Sequence, residues 1–335
     1  MAVSGRESGP GMSSGPGLQA GSEHGMDRWV GPAAILVATN LSDLDRLMPF
    51  AFQMATETGA RILLLHVLPA SASLTVDAAG MPYYDPAGAM EYAGKDLEPW
   101  CAQARSRHLS CDAIVREGQP AQEIVSAVRQ FHADWLLLGT RSRGKLGKLL
   151  LGSVAEQVLR SVRLPVITVG PEAHLPLEGS NQPKTVLHAT TLGETSRPNA
   201  ALACQIAARQ KAKLILLHVL PHIDEMQRKH LPADFDSAVL HELHTLAAEA
   251  GGNACENVEA RVLHGNPAIE ILAEAAACHA RLIILGAVRH SVFENLARDR
   301  TVHRVLAHAH CPVLTLREPI EKAEHAEAET FATHA

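Results

Sequence analysis

Leu136-Leu137-Leu138-Gly139-Thr140-Arg141-Ser142-Arg143-Gly144-Lys145, running on to Leu149-Leu150-Leu151-Gly152-Ser153-Val154-Ala155-Glu156, decides how this sequence folds. Trp135 to Leu138 is an apolar run without polar alternation, the pattern of a strand covered on both faces. Gly139 ends it, where the backbone must turn. Ser153 and Glu156 stand at capping-box spacing, which predicts a helix starting at Ser153. The backbone N–H groups of Gly152, Ser153 and Val154 would then face the loop, at the positive end of the helix dipole. Arg141, Arg143, Lys145 and Lys148 add positive charge. Strand, basic loop and helix start together offer what a phosphate group requires. The competing reading is purely structural: Ser153 caps its own helix and the loop is solvated. Gly139 to Lys145 also falls one residue short of the P-loop pattern G-x-x-x-x-G-K-[ST], because Leu146 stands where the magnesium-ligating hydroxyl belongs.

Working outward, the same unit is written twice. Ile35 to Thr39 reads as a buried strand, and Asn40-Leu41-Ser42-Asp43 as a turn. Ser42 and Asp45 have capping-box spacing for a helix reaching Thr58, stopped by Gly59. Ile62 to Leu68 is a second strand, and Ala70 to Pro86 a loop. A helix follows over 87–108, then a short strand over Ala113 to Arg116. Pro120 suits the first turn of the helix after it. Pro165 to Val169 closes the unit. From Lys184 the pattern returns. Leu216-Leu217-His218-Val219-Leu220-Pro221 repeats Leu64-Leu65-His66-Val67-Leu68-Pro69 letter for letter, and His264-Gly265-Asn266-Pro267-Ala268 answers Glu117-Gly118-Gln119-Pro120-Ala121. Ile283 to Gly286 answers Leu136 to Gly139, and Pro312 to Thr315 answers Pro165 to Thr168. Ordered matches of this kind imply duplication. Alternating strands and helices imply a parallel sheet covered on both faces, with ligands beyond the C-terminal strand ends.

The chain has 335 residues, 47% hydrophobic and 20% charged, with a formal net charge of −6. That size suits two domains, and that charge argues against a nucleic-acid binder. No apolar run reaches membrane-spanning length. Met1 to Gly25 lacks an apolar core, so no secretory signal is expected there. Residues 1–28 are expected to be a disordered tail, 29–171 and 184–317 the two domains, 172–183 the linker, and 318–335 a frayed or disordered tail. The six cysteines show no C-x-x-C pairing and read as free thiols of a reducing cytoplasm.

The duplicated unit resembles the universal stress protein family in its tandem form. The family's nucleotide-binding pattern G-x2-G-x9-G-[ST] corresponds to Gly139-x2-Ser142-x9-Gly152-Ser153, with serine for one glycine. Its strand-1 turn T-D-x-S corresponds to Thr39-Asn40-Leu41-Ser42, with asparagine for aspartate. The resemblance implies two tandem open parallel-sheet α/β domains, Rossmann-like and of the HUP type, packed as an internal pseudo-dimer with the last strands meeting. It implies ATP, or AMP or ADP, in the first domain, with magnesium as an accompanying ion. Ala38, Thr39 and Asn40 would lie against adenine and ribose, and Val67 would offer backbone groups to the adenine edge. Gly139 and Ser142 would let the chain approach ribose and phosphates, and Gly152, Ser153 and Val154 would hold the phosphates, with Arg141 beside them. In the second copy, Asp299 and Arg300 fall at the positions of Gly152 and Ser153, so that site reads as degenerate.

The sequence offers little for catalysis or metals. Nineteen histidines show no zinc spacing, and His66 and His218, at matching strand positions, read as packed or hydrogen-bonded core residues. No nucleophile elbow or kinase signature is present. The expected function is a cytoplasmic stress-response protein whose nucleotide acts as a regulatory or docking signal toward protein partners, with neither nucleic acid nor membrane bound. A nucleotide-free interaction scaffold and a weak ATP hydrolase are the alternatives. Further homodimerisation is left open.

Overall fold

The computed structural model describes residues 31–69, 74–76, 80–140, 151–174, 184–193, 196–221, 232, 234–251, 257–287 and 296–317. The expected tails and linker lie mostly outside this range, as do Arg141, Ser142 and the rest of the basic loop. In the first half the elements run β1 (Ala34–Thr39), α1 (Leu44–Thr58), β2 (Arg61–Leu68), β3 (Leu74–Val76), β4 (Pro82–Tyr84), α2 (Pro86–Ser106), β5 (Cys111–Glu117), α3 (Pro120–Gln130), β6 (Trp135–Gly139), α4 (Ser153–Ser161) and β7 (Val166–Val169). The second half runs β8 (Thr185–Ala189), α5 (Ser196–Arg209), β9 (Lys213–Leu220), α6 (Phe235–Gly251), β10 (Val258–His264), α7 (Pro267–Ala277), β11 (Ala280–Ala287), α8 (Leu296–His308) and β12 (Val313–Arg317).

Ten strands form one sheet in the order β10-β9-β8-β11-β12-β7-β6-β1-β2-β5. Each half is parallel within itself, and the halves join through one antiparallel ladder, Val313 to Thr168 and Thr315 to Val166. The expected meeting of last strands is therefore a hydrogen-bonded seam inside one chain. Its threonines reciprocate: Thr168 Oγ1 donates to the Val313 carbonyl at 3.3 Å, and Thr315 Oγ1 to the Val166 carbonyl at 3.2 Å.

The central strands are apolar on both faces because helices cover both. Every residue of β1 is buried, as are Leu136, Leu137 and Leu138 of β6. On one face of the first half, α3 and α4 supply Ala121, Ile124, Ala127, Ala155 and Val158 to the core. Leu151 and Leu159 pack against this core and against the corresponding core of the second half. Among the described residues, no helix is long and apolar enough to cross a membrane.

Several local expectations are corrected. The stretch read as a loop over 70–86 contains a two-stranded antiparallel ladder, β3 with β4. β5 extends beyond 113–116 at both ends, following β2 from Ile62 opposite Cys111 to Leu68 opposite Glu117. The Ser42–Asp45 capping box does not form. Leu41 takes φ 70°, which carries the chain one residue further before the helix, so Asp43 occupies the N-cap position. Ser42 instead donates to Asn40 Oδ1 at 2.9 Å.

Candidate functional site

The first half runs outward from β1 in two directions, to β2 and β5 on one side and to β6 and β7 on the other. The chain reverses at β1 and β6, where a parallel sheet opens a crevice at its C-terminal edge. A cleft of about 450 Å3 lies there, within the roughly 300–1,000 Å3 of small-molecule sites. Three strand ends build its floor: Ala38 and Thr39 from β1, Leu65, His66 and Val67 from β2, and Leu138 and Gly139 from β6. Pro120 and Ile124 of α3 form one wall, and Gly152, Ser153, Val154 and Ala155 at the start of α4 form another.

Of the residues singled out in sequence, Ala38, Thr39, Asn40, Val67, Gly139, Gly152, Ser153 and Val154 all line this one cleft. They come from segments more than 100 residues apart. Arg141 and Ser142 lie outside the described residues. Ala38, Leu65, Val67 and Leu138 make the floor largely apolar, and Asn40 and Ser153 are exposed at the rim.

The start of α4 departs from the capping-box reading. Gly152 is the N-cap residue, with φ −66° and ψ 145°, and no side chain caps the helix. Ser153 is the first helical residue. Glu156 reaches forward to Arg160, and its N–H donates to the Gly152 carbonyl at 2.9 Å. Because the first intrahelical bond starts there, the N–H groups of Ser153, Val154 and Ala155 have no partner within the helix. Helix starts of this kind attract anions through those donors and the macrodipole. Electrostatically, then, this wall of the cleft is positive even without the loop cations.

Sequence reading missed Asp43, which also lines the cleft and is 5% exposed. Its Oδ1 accepts from Thr39 Oγ1 at 2.6 Å and from the Asn40 N–H at 3.3 Å. A Cβ on Gly139 would lie 2.6 Å from Asp43 Oδ2. A side chain at the end of β6 would have to displace this carboxylate, which is a reason for glycine there in addition to the close ligand approach expected of it. His66 belongs to the same frame: its Nδ1 lies 2.9 Å from the Thr39 carbonyl, tying the end of β2 to that of β1. His218 does the same to Thr190 at 2.8 Å in the second half. The same turn recurs in both halves, Thr39-Asn40-Leu41 here and Thr190-Thr191-Leu192 there, with leucine at positive φ and its N–H donating to the threonine Oγ1.

The second half differs at the helix after its fourth strand. Asp299 and Arg300, expected at a helix start, lie inside α8, which begins at Leu296. In this register the positions of Ser153, Val154 and Ala155 fall within the helix, where N–H groups are consumed by the preceding turn. An added helical turn therefore stands where a carboxylate-led helix start was expected. Among the described residues, no group of three or more His, Cys, Asp or Glu could hold a metal ion.

Comparison with known proteins agrees with this fold. The model of the universal stress protein family matches residues 33–170 and again 183–317. A universal stress protein of Methanocaldococcus jannaschii is 28% identical over 143 residues, 40% of this chain and 80% of that protein. One from Thermus aquaticus is 30% identical over 136 residues, 40% of this chain and 96% of that protein. The crystal structure of a universal stress protein from Archaeoglobus fulgidus superposes with a TM-score of 0.61 at 19% identity, covering 86% of this chain and 99% of that one.

Proposed function

Because the chain belongs to the universal stress protein family and carries the family's domain twice, we propose that its first half binds an adenine nucleotide, ATP or a close relative, as a regulatory signal. One observation carries this reading: an apolar floor and an uncapped helix start share a single cleft. An adenine ring needs the first and a phosphate chain the second. Ala38, Leu65, Val67 and Leu138 offer the ring apolar surface. Asn40 at the rim has amide groups for a sugar hydroxyl. The N–H groups at the start of α4 and the Ser153 hydroxyl suit phosphate oxygens, with Arg141 and Ser142 in the adjoining loop and magnesium as an accompanying charge.

The reading is of binding without rapid turnover. The ionisable side chains on the described cleft wall are Asp43 and His66, and each is engaged with Thr39 of β1. Those contacts hold both side chains against the end of β1. A bound nucleotide acts on partners only by favouring a state for which its affinity is higher. The loop between Gly139 and Gly152 is the segment this reading assigns to that change, in a cytoplasmic protein with free thiols.

Titration calorimetry with ATP and magnesium tests the proposal. Saturable heat with one equivalent per chain is expected. No binding at millimolar ligand, together with no adenine compound in the mass spectrum of the purified protein, would leave the nucleotide-free scaffold.

A further inference from the structure

Cys101 sits in the last turns of α2, and Cys111 opens β5, with a short connection between them. Their Sγ atoms are 2.7 Å apart. Both side chains are buried, Cys101 at 1% and Cys111 at 6% exposure. A disulfide places its sulfurs about 2.05 Å apart, so a small side-chain rotation closes the gap. Neither sulfur is needed in the nucleotide cleft, whose lining includes neither residue. From this pairing we propose that Cys101 and Cys111 form a reversible intramolecular disulfide under peroxide, giving the first half an oxidation-sensitive clasp between α2 and β5.

The chemistry balances with hydrogen peroxide as the oxidant. Cys101, as thiolate, attacks one peroxide oxygen; the O–O bond breaks, the other oxygen leaves as hydroxide and takes a proton to become water. The product is a sulfenic acid on Cys101. The Cys111 sulfur then attacks the Cys101 sulfur, the S–O bond breaks, and the hydroxide leaves with the Cys111 proton as a second water. Two thiols are oxidised by two electrons, and one peroxide is reduced to two waters. The order of roles follows the pairing. The hydrogen bond from Cys111 pulls the Cys101 thiol below its ordinary range, while that same contact and burial push Cys111 up. The lower thiol is the nucleophile.

The clasp has a defined mechanical target. β5 is an edge strand, paired only with β2 in the sheet, and the far end of β2 lines the cleft. A crosslink at Cys111 fixes the edge strand to the helix covering it. The matching register of the second half holds no cysteine. Ile62 lies opposite Cys111, and the matching Leu214 lies opposite Val258. The clasp as proposed therefore belongs to the first half.

The test uses the full chain, purified with a phosphine reductant, exchanged into buffer, exposed to millimolar hydrogen peroxide, quenched, unfolded and alkylated. Peptide mass mapping is expected to show a Cys101–Cys111 crosslink that dithiothreitol reverses and that is lost in Cys101→Ser. Hydrogen exchange of the oxidised wild type should slow in α2 and β5 and stay unchanged in α6 and β10. The wild-type melting midpoint should rise by a few degrees on oxidation. Recovery of both cysteines as alkylated thiols would overturn the proposal. So would a crosslink to any other cysteine, or Cys101 carried to sulfinic acid without a partner. The wild-type measurements stand even if the serine variant fails to fold.

Discussion

The two halves share a turn, a strand order and a pair of strand-tying histidines, yet differ at the helix that follows the fourth strand of each. In the first half α4 begins at Ser153 behind a glycine, so its leading N–H groups open into the cleft. In the second half α8 begins at Leu296, and the added turn consumes the equivalent donors. The amount of helix at this strand exit distinguishes a candidate anion site in one half from continuous helix in the other.

The largest expected effect contrasts His188 with its counterpart Val37. His188 is fully buried in β8, donating from Nδ1 to the Ile284 carbonyl at 3.1 Å, while its Nε2 has no partner among the described residues. Burial pushes its pKa down to about 4. The folded value lies below the unfolded one, so the unfolded chain takes the proton first. Stability is full above about pH 6.5, falls as pH drops toward 4, and levels off below. The loss is about 3 kcal/mol. Urea unfolding at pH 7.5 and pH 4.5 should show it, and His188→Val should flatten the difference. Equal pH dependence in both proteins would break this part of the comparison.

Next comes Gly152→Asp. Its φ and ψ suit any residue, and aspartate is a favoured N-cap, so the melting midpoint should hold or rise. A carboxylate beside the open donors should nonetheless weaken ATP by tenfold or more, about 1.4 kcal/mol or above. Calorimetry on a variant of unchanged stability separates lost binding from lost fold. Unaltered affinity would remove the helix start from the site.

The smallest effect distinguishes α3 from α7. Both follow a glycine and start at proline, but Asn266 caps α7 by accepting from the Ala268 and Ile269 N–H groups at 3.1 and 3.3 Å. Gln119 makes no such bond. Asn266→Ala should cost about 1 kcal/mol, read from the urea midpoint, and Gln119→Ala little. Comparable losses would show that the two starts are held alike.

These contrasts also mark what could be read from the chain alone. Apolar runs without alternation, such as Leu136 to Leu138, identify covered strands because burial on both faces forbids polar residues. The letter-for-letter Leu-Leu-His-Val-Leu-Pro repeat located the strand end where His66 and His218 tie β1 and β8. Helix starts were harder to read. Ser42 and Ser153 both have suitable neighbours, yet neither caps its helix. The deciding quantity at Ser42 is a backbone angle, the positive φ of Leu41, which leucine seldom adopts and sequence does not announce. Asp43 escaped notice for the same reason, since its carboxylate reaches Thr39 only after that turn. The start of α8 was misplaced because a fixed register hides an extra turn of helix.

The seam between β7 and β12 has a further consequence. Partners that assemble from separate chains come apart on dilution, because their association is second order. Here covalent connection replaces molarity with a fixed local concentration. The antiparallel ladder at Val313 and Thr168 should persist at any protein abundance, from the first copy made in the cell onward.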